Sequence, residues 1–356
     1  MQKKLIALAV AGLVSVPAFA QSSVTLYGIA DMGFVRDGGA LSGGAKKTRT
    51  GFDSGVQSGS RIGFKGTEDL GNGLKANFVF ETGLNVDRGG LSANGSTGTG
   101  FGRQSYVGLS GGFGSITAGR QYTPQFVIAS TVDPFGYGLA GQVNNLAQVD
   151  ARLDNLVAYA TPSFGGFTGI VGYSTKHSGD EAVGGKNANT PVTALAGIYA
   201  NGPLLVAGNY HKVDAPGTSN DLKRATLGLT YDLSVVKLHG YYNRSKNEGF
   251  VGGNKSNDWM LGLSAPIGKG TILASYVRRD ENNADGVEND ANQWALGYTY
   301  ALSKRTNIYT AYAKIGYKKD AKTAYDNGVS AAYTVGNASA AGVGNSGFNL
   351  GVRHTF

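Results

Sequence analysis

The sequence predicts an all-β fold, a 16-stranded antiparallel transmembrane β-barrel with one long connection, its third, folded into the lumen. Three observations predict it. Segments of about ten residues alternate apolar and polar side chains, the period-two pattern of a strand with one oily and one wet face. The connections sort into two lengths: seven short turns at 70–73, 111–114, 162–166, 201–203, 232–235, 266–270 and 302–305, and eight long polar stretches at about 36–57, 88–99, 122–151, 178–190, 214–221, 249–256, 282–290 and 318–344. Fifteen connections join sixteen strands, and short turns on one rim with long loops on the other characterise outer-membrane barrels. The chain ends on Gly347–Phe356, with Phe348, Leu350, Val352, His354 and Phe356 on one face and Asn349, Gly351, Arg353 and Thr355 on the other. A last strand with an oily face needs a partner on both edges, or it is left as a template for aggregation. It is therefore expected to close against the first strand, with Phe356 at the seam.

The elements follow in order. Residues 1–20 read as a cleaved signal peptide: Lys3 and Lys4, an apolar run Leu5–Val16, Pro17, then Ala18-Phe19-Ala20. The apolar run of 12 residues is too short for a membrane helix, which needs about 20. No other run comes close, so an exported protein that spans lipid must do so as a closed barrel with every backbone group paired internally. Residues 21–356 are expected to form one barrel domain. Its first strand, Ser22–Phe34, puts Val24, Leu26, Ala30, Met32 and Phe34 on one parity and Asp31 on the other. Arg36–Gln57 is polar and Gly-rich and reads as a loop. Ser58–Leu70 alternates Arg61 and Lys65 against Ile62 and Phe64. Leu74–Val86 sets Phe78, Phe80 and Leu84 against Asn77, Val79 and Glu81. Asn292–Leu302 continues the theme, with Trp294, Leu296, Tyr298 and Tyr300 on the oily face. Tyr159, Tyr173, Tyr210, Tyr231, Tyr298, Tyr300, Tyr309 and Tyr317 lie near strand ends and suit an interfacial girdle.

Composition agrees. The 356 residues include 57 Gly, 19 Tyr, 15 Phe and no Cys. Glycine without a period excludes collagen, and the aromatics exclude a disordered Gly-rich linker. Net charge is +8, or +6 once residues 1–20 are removed. The basic residues are scattered, with no Lys/Arg-rich helix, so nucleic acid is not an expected partner.

One connection differs from the rest. Gln121–Asp150 is long, apolar and has only Asp133 and Asp150 as charges. Phe126, Phe135 and Tyr137 are its candidate packing residues. Long loops with their own packing are usually functional. A barrel of this size leaves an aqueous channel that such a loop would narrow.

The chain resembles the Gram-negative general porins of the betaproteobacterial and neisserial trimeric type. The resemblance rests on SSVTLYGIAD (22–31), SRIGFKGTEDLGNGLKANFVFETG (60–83), GRQSYVGLSGGFGSITAGRQ (102–121), DNLVAYATPSFGGF (154–167) and GVRHTF (351–356). It implies an outer-membrane homotrimer, a constricting third loop, and the terminal Phe356 as an assembly signal read by the barrel-assembly machinery. Its implied surroundings are outer-membrane lipid and lipopolysaccharide, and its implied cargo is small hydrophilic solutes and anions. It also places a basic cluster at the constriction, on Arg61, Arg103 and Arg152, facing Glu81 on the wall and Asp133 on the loop. Parity independently supports Arg61 and Arg152. Arg103 shares parity with Val107 and Leu109, so only a bulge or a covering loop would turn it inward.

The expected activity is passive diffusion with anion preference, because guanidinium stays ionised at any working pH and charge at a constriction selects ions. No enzyme chemistry is expected, since no nucleophile–base pair can be assigned. No cofactor is expected. The four histidines lack metal-ligand spacing, and residues 281–286 echo a calcium loop whose closing acid is replaced by Asn292. The competing readings are a solute-specific channel, a plugged adhesive or structural barrel, and an outer-membrane enzyme.

Overall fold

The computed structural model describes residues 23–42, 45–92, 100–183, 189–327, 333–336 and 344–356. The expected leader, residues 1–20, lies outside them. The strands are β1 (Ser23–Ser42), β2 (Ala45–Ser54), β3 (Arg61–Gly71), β4 (Leu74–Leu84), β5 (Leu91–Ser92), β6 (Gln104–Gly111), β7 (Gly114–Tyr122), β8 (Arg152–Ala160) and β9 (Phe167–Ser174). They continue as β10 (Val192–Asn201), β11 (Leu204–Val213), β12 (Leu222–Asp232), β13 (Lys237–Lys246), β14 (Lys255–Ile267), β15 (Gly270–Asn282), β16 (Ala291–Ala301), β17 (Thr306–Tyr317) and β18 (Ser346–Thr355).

These segments make sixteen staves of a closed antiparallel barrel. β2 and β3 share one edge of β1, β3 along Ser23–Ile29 and β2 along Met32–Ser42, so together they form one stave broken at 55–60. The two-residue β5 only extends the pairing of β4. Closure falls where the sequence places it. β1 pairs with β18 from Ile29↔Thr355 to Gly38↔Ser346, and Gly28 and Phe356 exchange backbone hydrogen bonds of 3.1 Å in both directions. A Cβ on Gly28 would lie 2.3 Å from the Phe356 ring, so the seam admits only glycine there.

Outside and inside follow the alternation. On β12, Leu227, Leu229 and Tyr231 are exposed while Thr226, Gly228 and Thr230 are buried. In water such an exposed apolar surface would be a liability; around a barrel it faces lipid. Tyr173, Tyr210, Tyr231 and Tyr298 point outward as expected. Tyr309 and Tyr317 do not. Both are buried on the opposite face, Tyr309 donating 2.6 Å to Asp31 Oδ1 and Tyr317 donating to the Tyr333 carbonyl. They are bonding members of the interior.

Residues 36–57 are also not a loop over most of their length. β1 continues to Ser42 and returns as β2, a hairpin that prolongs the wall. Arg49 lies between Asp37 (2.8 Å) and Asp53, and Phe52 meets Phe34 edge-on at 5.8 Å. Such cross-strand pairs stabilise a ladder that polar composition alone does not suggest.

Candidate functional site

Asp31 builds the first part of the site. It is fully buried on β1 and accepts from the backbone N–H of Gln57 (2.8 Å) and Ser58 (2.6 Å), which fixes the break between β2 and β3. The broken segment then meets the connection between β7 and β8: Leu139 N donates to Val56 O at 2.8 Å. Gly138 passes so close that a Cβ would lie 1.9 Å from Gln57 O.

That connection opens as a helix, α1 (Pro124–Val132), where the sequence suggested only an irregular packed loop. The signal was present. Thr123 caps the helix, its Oγ1 accepting from Phe126 N at 3.0 Å, and Pro124 occupies the first turn. α1 is apolar on several sides, and its neighbours are the polar-parity residues of the wall. Gln125 Nε2 donates to Asn243 Oδ1 (3.3 Å) and Thr226 Oγ1 (3.4 Å), and Val132 O lies 2.9 Å from His239 Nδ1. Farther along, Asn145 donates 2.7 Å to Gln293 Oε1. Three wall glycines leave room for it. A Cβ at Gly228, Gly262 or Gly297 would lie 2.7–2.8 Å from Ile128, Pro134 or Phe135 respectively.

The expected packing residues take part in this arrangement. Phe135 is buried in the cluster that joins the connection to Ala295 and Ala311. Phe126 stacks on Tyr122 (4.5 Å, 19°) and meets Tyr137 edge-on (4.9 Å). Asp133 serves the connection's own fold. Its carboxylate accepts from Phe135 N (2.9 Å), Tyr137 N (3.1 Å) and Val143 N (2.9 Å), holding left-handed backbone at Tyr137 (φ 60°) and Leu139 (φ 57°). Burial pushes this carboxyl up to about 6 against those donors.

Arg61, Arg103, Arg152 and Glu81 converge around a residue the sequence did not single out. The Tyr122 hydroxyl accepts from Arg103 Nη2 (2.9 Å), Arg152 Nη2 (3.4 Å) and Arg61 Nη1 (3.5 Å). Arg152 also lies over the Tyr122 ring at 4.8 Å. Buried Glu81 accepts from Arg103 Nε at 2.8 Å and Tyr27 OH at 3.0 Å, with Arg61 Nη1 at 3.7 Å. Arg103 escapes the parity conflict because it precedes β6. Its N–H binds Glu81 O at 3.1 Å, outside the strand alternation. Three guanidiniums thus gather on one hydroxyl, two of them paired with one carboxylate, beside a cavity of about 300 Å³ whose wall also includes Phe126 and Tyr137.

With this geometry in place, comparison with known proteins is decisive. A sequence model of the Gram-negative porin family matches residues 7–320. The chain belongs to the Gram-negative porins. It is similar to an outer membrane porin protein of Bordetella pertussis, 36% identical and covering 88% of this chain and 94% of that one. Outer membrane porin protein 32 of Delftia acidovorans is 36% identical, with 87% and 88% covered. Among solved structures, an anion-selective porin from Comamonas acidovorans superposes with a TM-score of 0.77 at 32% identity, covering 94% of this chain and all of that one. The protein is an outer-membrane channel.

The porin's third connection has a second anchor that sequence reasoning missed. Asp150 ends it, pairing with Arg224 Nη1 at 2.5 Å, with His211 Nε2 at 3.1 Å and His177 Nε2 at 3.6 Å. Burial opposes the charge, but Arg224 and the two histidines hold this carboxyl well below the usual range. Nothing in the sequence links residues 150, 177, 211 and 224: strand register pairs His211 with Arg224, and two connections bring Asp150 and His177 to them.

Proposed function

We propose that this porin passes small hydrophilic solutes by diffusion and prefers anions, with the 122–151 connection lying across the lumen as its constriction. The anion preference is carried by one observation, the ratio of three guanidiniums to one carboxylate around Tyr122. The polar-parity partners of the connection, spread from β12 and β13 to β16, support the constriction. In this reading Arg61, Arg103, Arg152 and Glu81 set the field, Asp133 shapes the turn, and Phe126, Phe135 and Tyr137 hold the connection in place. Two unit charges 4 Å apart interact by about 1 kcal/mol in water and ~4 kcal/mol at an effective dielectric constant of 20. A surplus of guanidinium therefore favours anions by roughly fivefold to nearly a thousandfold between those limits. The anion-selective description of the Comamonas protein points the same way. We further propose export with cleavage after Ala20, a mature barrel of residues 21–356 with Phe356 as its assembly signal, and association of three such barrels as a homotrimer.

Reversal potentials in planar bilayers under a KCl gradient test the preference. The native channel is expected to favour chloride, and Arg61→Gln to lower the chloride-to-potassium permeability ratio several-fold. Potassium preference in the native channel, or an unmoved ratio in the variant, overturns the reading.

A further inference from the structure

The third connection is tied at two places, by separate routes, to one buried guanidinium on the wall. Arg279 on β15 is fully buried, and two strands and two long connections meet on it. Its Nη1 donates to Asp258 Oδ1 on β14 at 2.8 Å and its Nη2 to Glu248 Oε2 at 2.5 Å. Its Nε donates to Tyr333 OH at 2.8 Å. Glu248 lies between β13 and β14, and Tyr333 between β17 and β18, in long connections of the kind that face outward in outer-membrane barrels. The first route runs along the wall to α1. The second oxygen of Asp258 accepts from Asn243 Nδ2 at 3.0 Å, and Asn243 Oδ1 accepts from Gln125 Nε2 at 3.3 Å. Gln125 Oε1 then accepts from Asp150 N at 3.2 Å, so one side chain grips the start and the end of the connection. The second route reaches the stretch around Asn145. Tyr317 donates to the Tyr333 carbonyl, Val335 is fully buried, and Gly336 N donates to Asn145 Oδ1 at 3.0 Å. A Cβ on Gly347 would lie 2.6 Å from Val335 Cγ1, so this segment lies tight on β18. Asn145 Nδ2 in turn donates to Ala140 O and Gln293 Oε1, both at 2.7 Å.

Gln125, Asn243, Asp258 and Arg279 all have 0% of their surface exposed. A buried polar group that loses its partner is costly, so breaking one link strands the next. Such a chain has two arrangements, made or broken, rather than a continuum. Its links lengthen from 2.8 Å at Asp258 through 3.0 Å at Asn243 to 3.3 Å at Gln125, so it parts first at α1. Once loose, α1 has one direction to move. It already packs against β10 to β13, where a Cβ on Gly228 would lie 2.7 Å from Ile128. The wall blocks it on that side and, with the connection inside the barrel, the lumen lies on the other. We propose that Arg279, Asp258, Asn243 and Tyr333 are positioning residues of the channel, a strap from its outer connections that keeps α1 back on the wall; when the strap parts, the third connection swings inward and shuts the path. The proposal rests on the placement of the 122–151 connection in the lumen, and not on the ion preference of the channel.

Single-channel recording of the purified full-length porin in planar bilayers tests it. Tyr333→Phe keeps the ring and deletes the hydroxyl that Arg279 holds; it should raise the frequency of closures by about fivefold, the equivalent of roughly 1 kcal/mol. Asn243→Leu, which breaks the route to α1, should raise it at least as much. Neither should change the open-state conductance or the chloride-to-potassium ratio. Tyr242→Phe deletes an outward hydroxyl bonded to Asn257 at 3.0 Å, on the same strand as Asn243, and should match the native channel. Unfolding temperatures in detergent, measured in parallel, separate positioning from stability. Variants that melt earlier yet close no more often than the native channel make the chain merely structural and overturn the proposal. Closures as frequent in Tyr242→Phe as in Tyr333→Phe also overturn it, since any lost hydroxyl would then suffice. Ser130→Trp keeps the strap and the constriction apart. Ser130 lies on α1 beside the cavity of about 300 Å³, and the larger side chain should lower the open-state conductance. If it does so while Tyr333→Phe and Asn243→Leu leave closing unchanged, the strap fails and the constriction stands; if Ser130→Trp leaves conductance unchanged, the placement of the connection fails and the strap with it.

Discussion

Two charged clusters on the wall have opposite proportions. Around Tyr122, the guanidiniums of Arg61, Arg103 and Arg152 share one phenolic acceptor, and a single carboxylate, Glu81, pairs with the first two. On β14 and β15, the single guanidinium of Arg279 meets three carboxylates: Asp258 at 2.8 Å, Glu248 at 2.5 Å and Glu281 at 2.9 Å. Arg279 and Asp258 are fully buried, whereas the Arg61 side chain keeps 18% of its surface exposed beside the cavity. The Arg279 knot is turned to structure. Its Nε also donates to Tyr333 OH at 2.8 Å and so ties residues 333–336 to the wall, where Gly336 N reaches Asn145 Oδ1 at 3.0 Å. The comparison teaches that an arginine's role in this barrel is set by the number of carboxylates around it. Where acids satisfy every nitrogen, arginine is a rivet; where arginines outnumber acids, the proposed function assigns their surplus field to passing ions.

The sharpest way to break this contrast is to remove one arginine from each cluster. Arg279→Met leaves Asp258, Glu248 and Glu281 buried without their cation, a change that costs about 3–5 kcal/mol. Arg61→Gln removes a 3.7 Å ion pair, a bond to Gly59 O and a long bond to Tyr122 OH but relieves repulsion from Arg103, so it should cost no more than about 1 kcal/mol. Thermal unfolding in detergent should rank them in that order, and equal losses would mean that both clusters are structural.

An intermediate effect comes from making one substitution twice. Glu81→Gln keeps an oxygen acceptor for Tyr27 and Arg103 but deletes the sole carboxylate of the guanidinium cluster. It is expected to raise the chloride-to-potassium ratio by roughly fivefold, the value of about 1 kcal/mol at 4 Å in water. Glu281→Gln, in the Arg279 knot, is expected to leave the ratio unchanged. A shift of similar size in both would place the two clusters equally in the ion path.

Much of this was legible in the sequence, for definite physical reasons. A strand's period of two and a barrel's two loop lengths are local properties, so strand number, closure at Phe356 and the inward parity of Arg61 and Arg152 could be read residue by residue. What depends on register could not. Tyr122 as a shared acceptor and the Asp150–Arg224 anchor each join residues far apart along the chain, and no spacing encodes them. Arg103 misled parity because it lies one residue outside its strand. Asp133 looked like a loop acid for the ion path, yet the turn it closes takes up its carboxylate in three backbone bonds.

The smallest expected effect lies within the third connection and contrasts its two acids. Asp133 has its carboxyl raised to about 6 by burial, while Asp150 is held well below the ordinary value, burial outweighed by Arg224, His177 and His211. The signs are opposite. For Asp133 the folded chain binds a proton more tightly than the unfolded one, so its contribution to stability is greatest below about pH 4 and declines as pH rises through about 6. For Asp150 the contribution is present above the unfolded value near 4 and is lost only as pH falls below it. Acidifying from pH 7 to 5 should therefore neutralise Asp133 and leave the Asp150 anchor charged. Anion preference should rise by less than about twofold, since Asp133 does not line the cluster and its field on the ion path falls off with distance. That rise should disappear in Asp133→Asn, while conductance stays level over the same range because the anchor holds. A fall in conductance between pH 7 and 5 that persists in Asp133→Asn and vanishes in Asp150→Asn would reverse the assignment, making Asp150 the titrating acid and its pairing with Arg224 too weak to fix the connection.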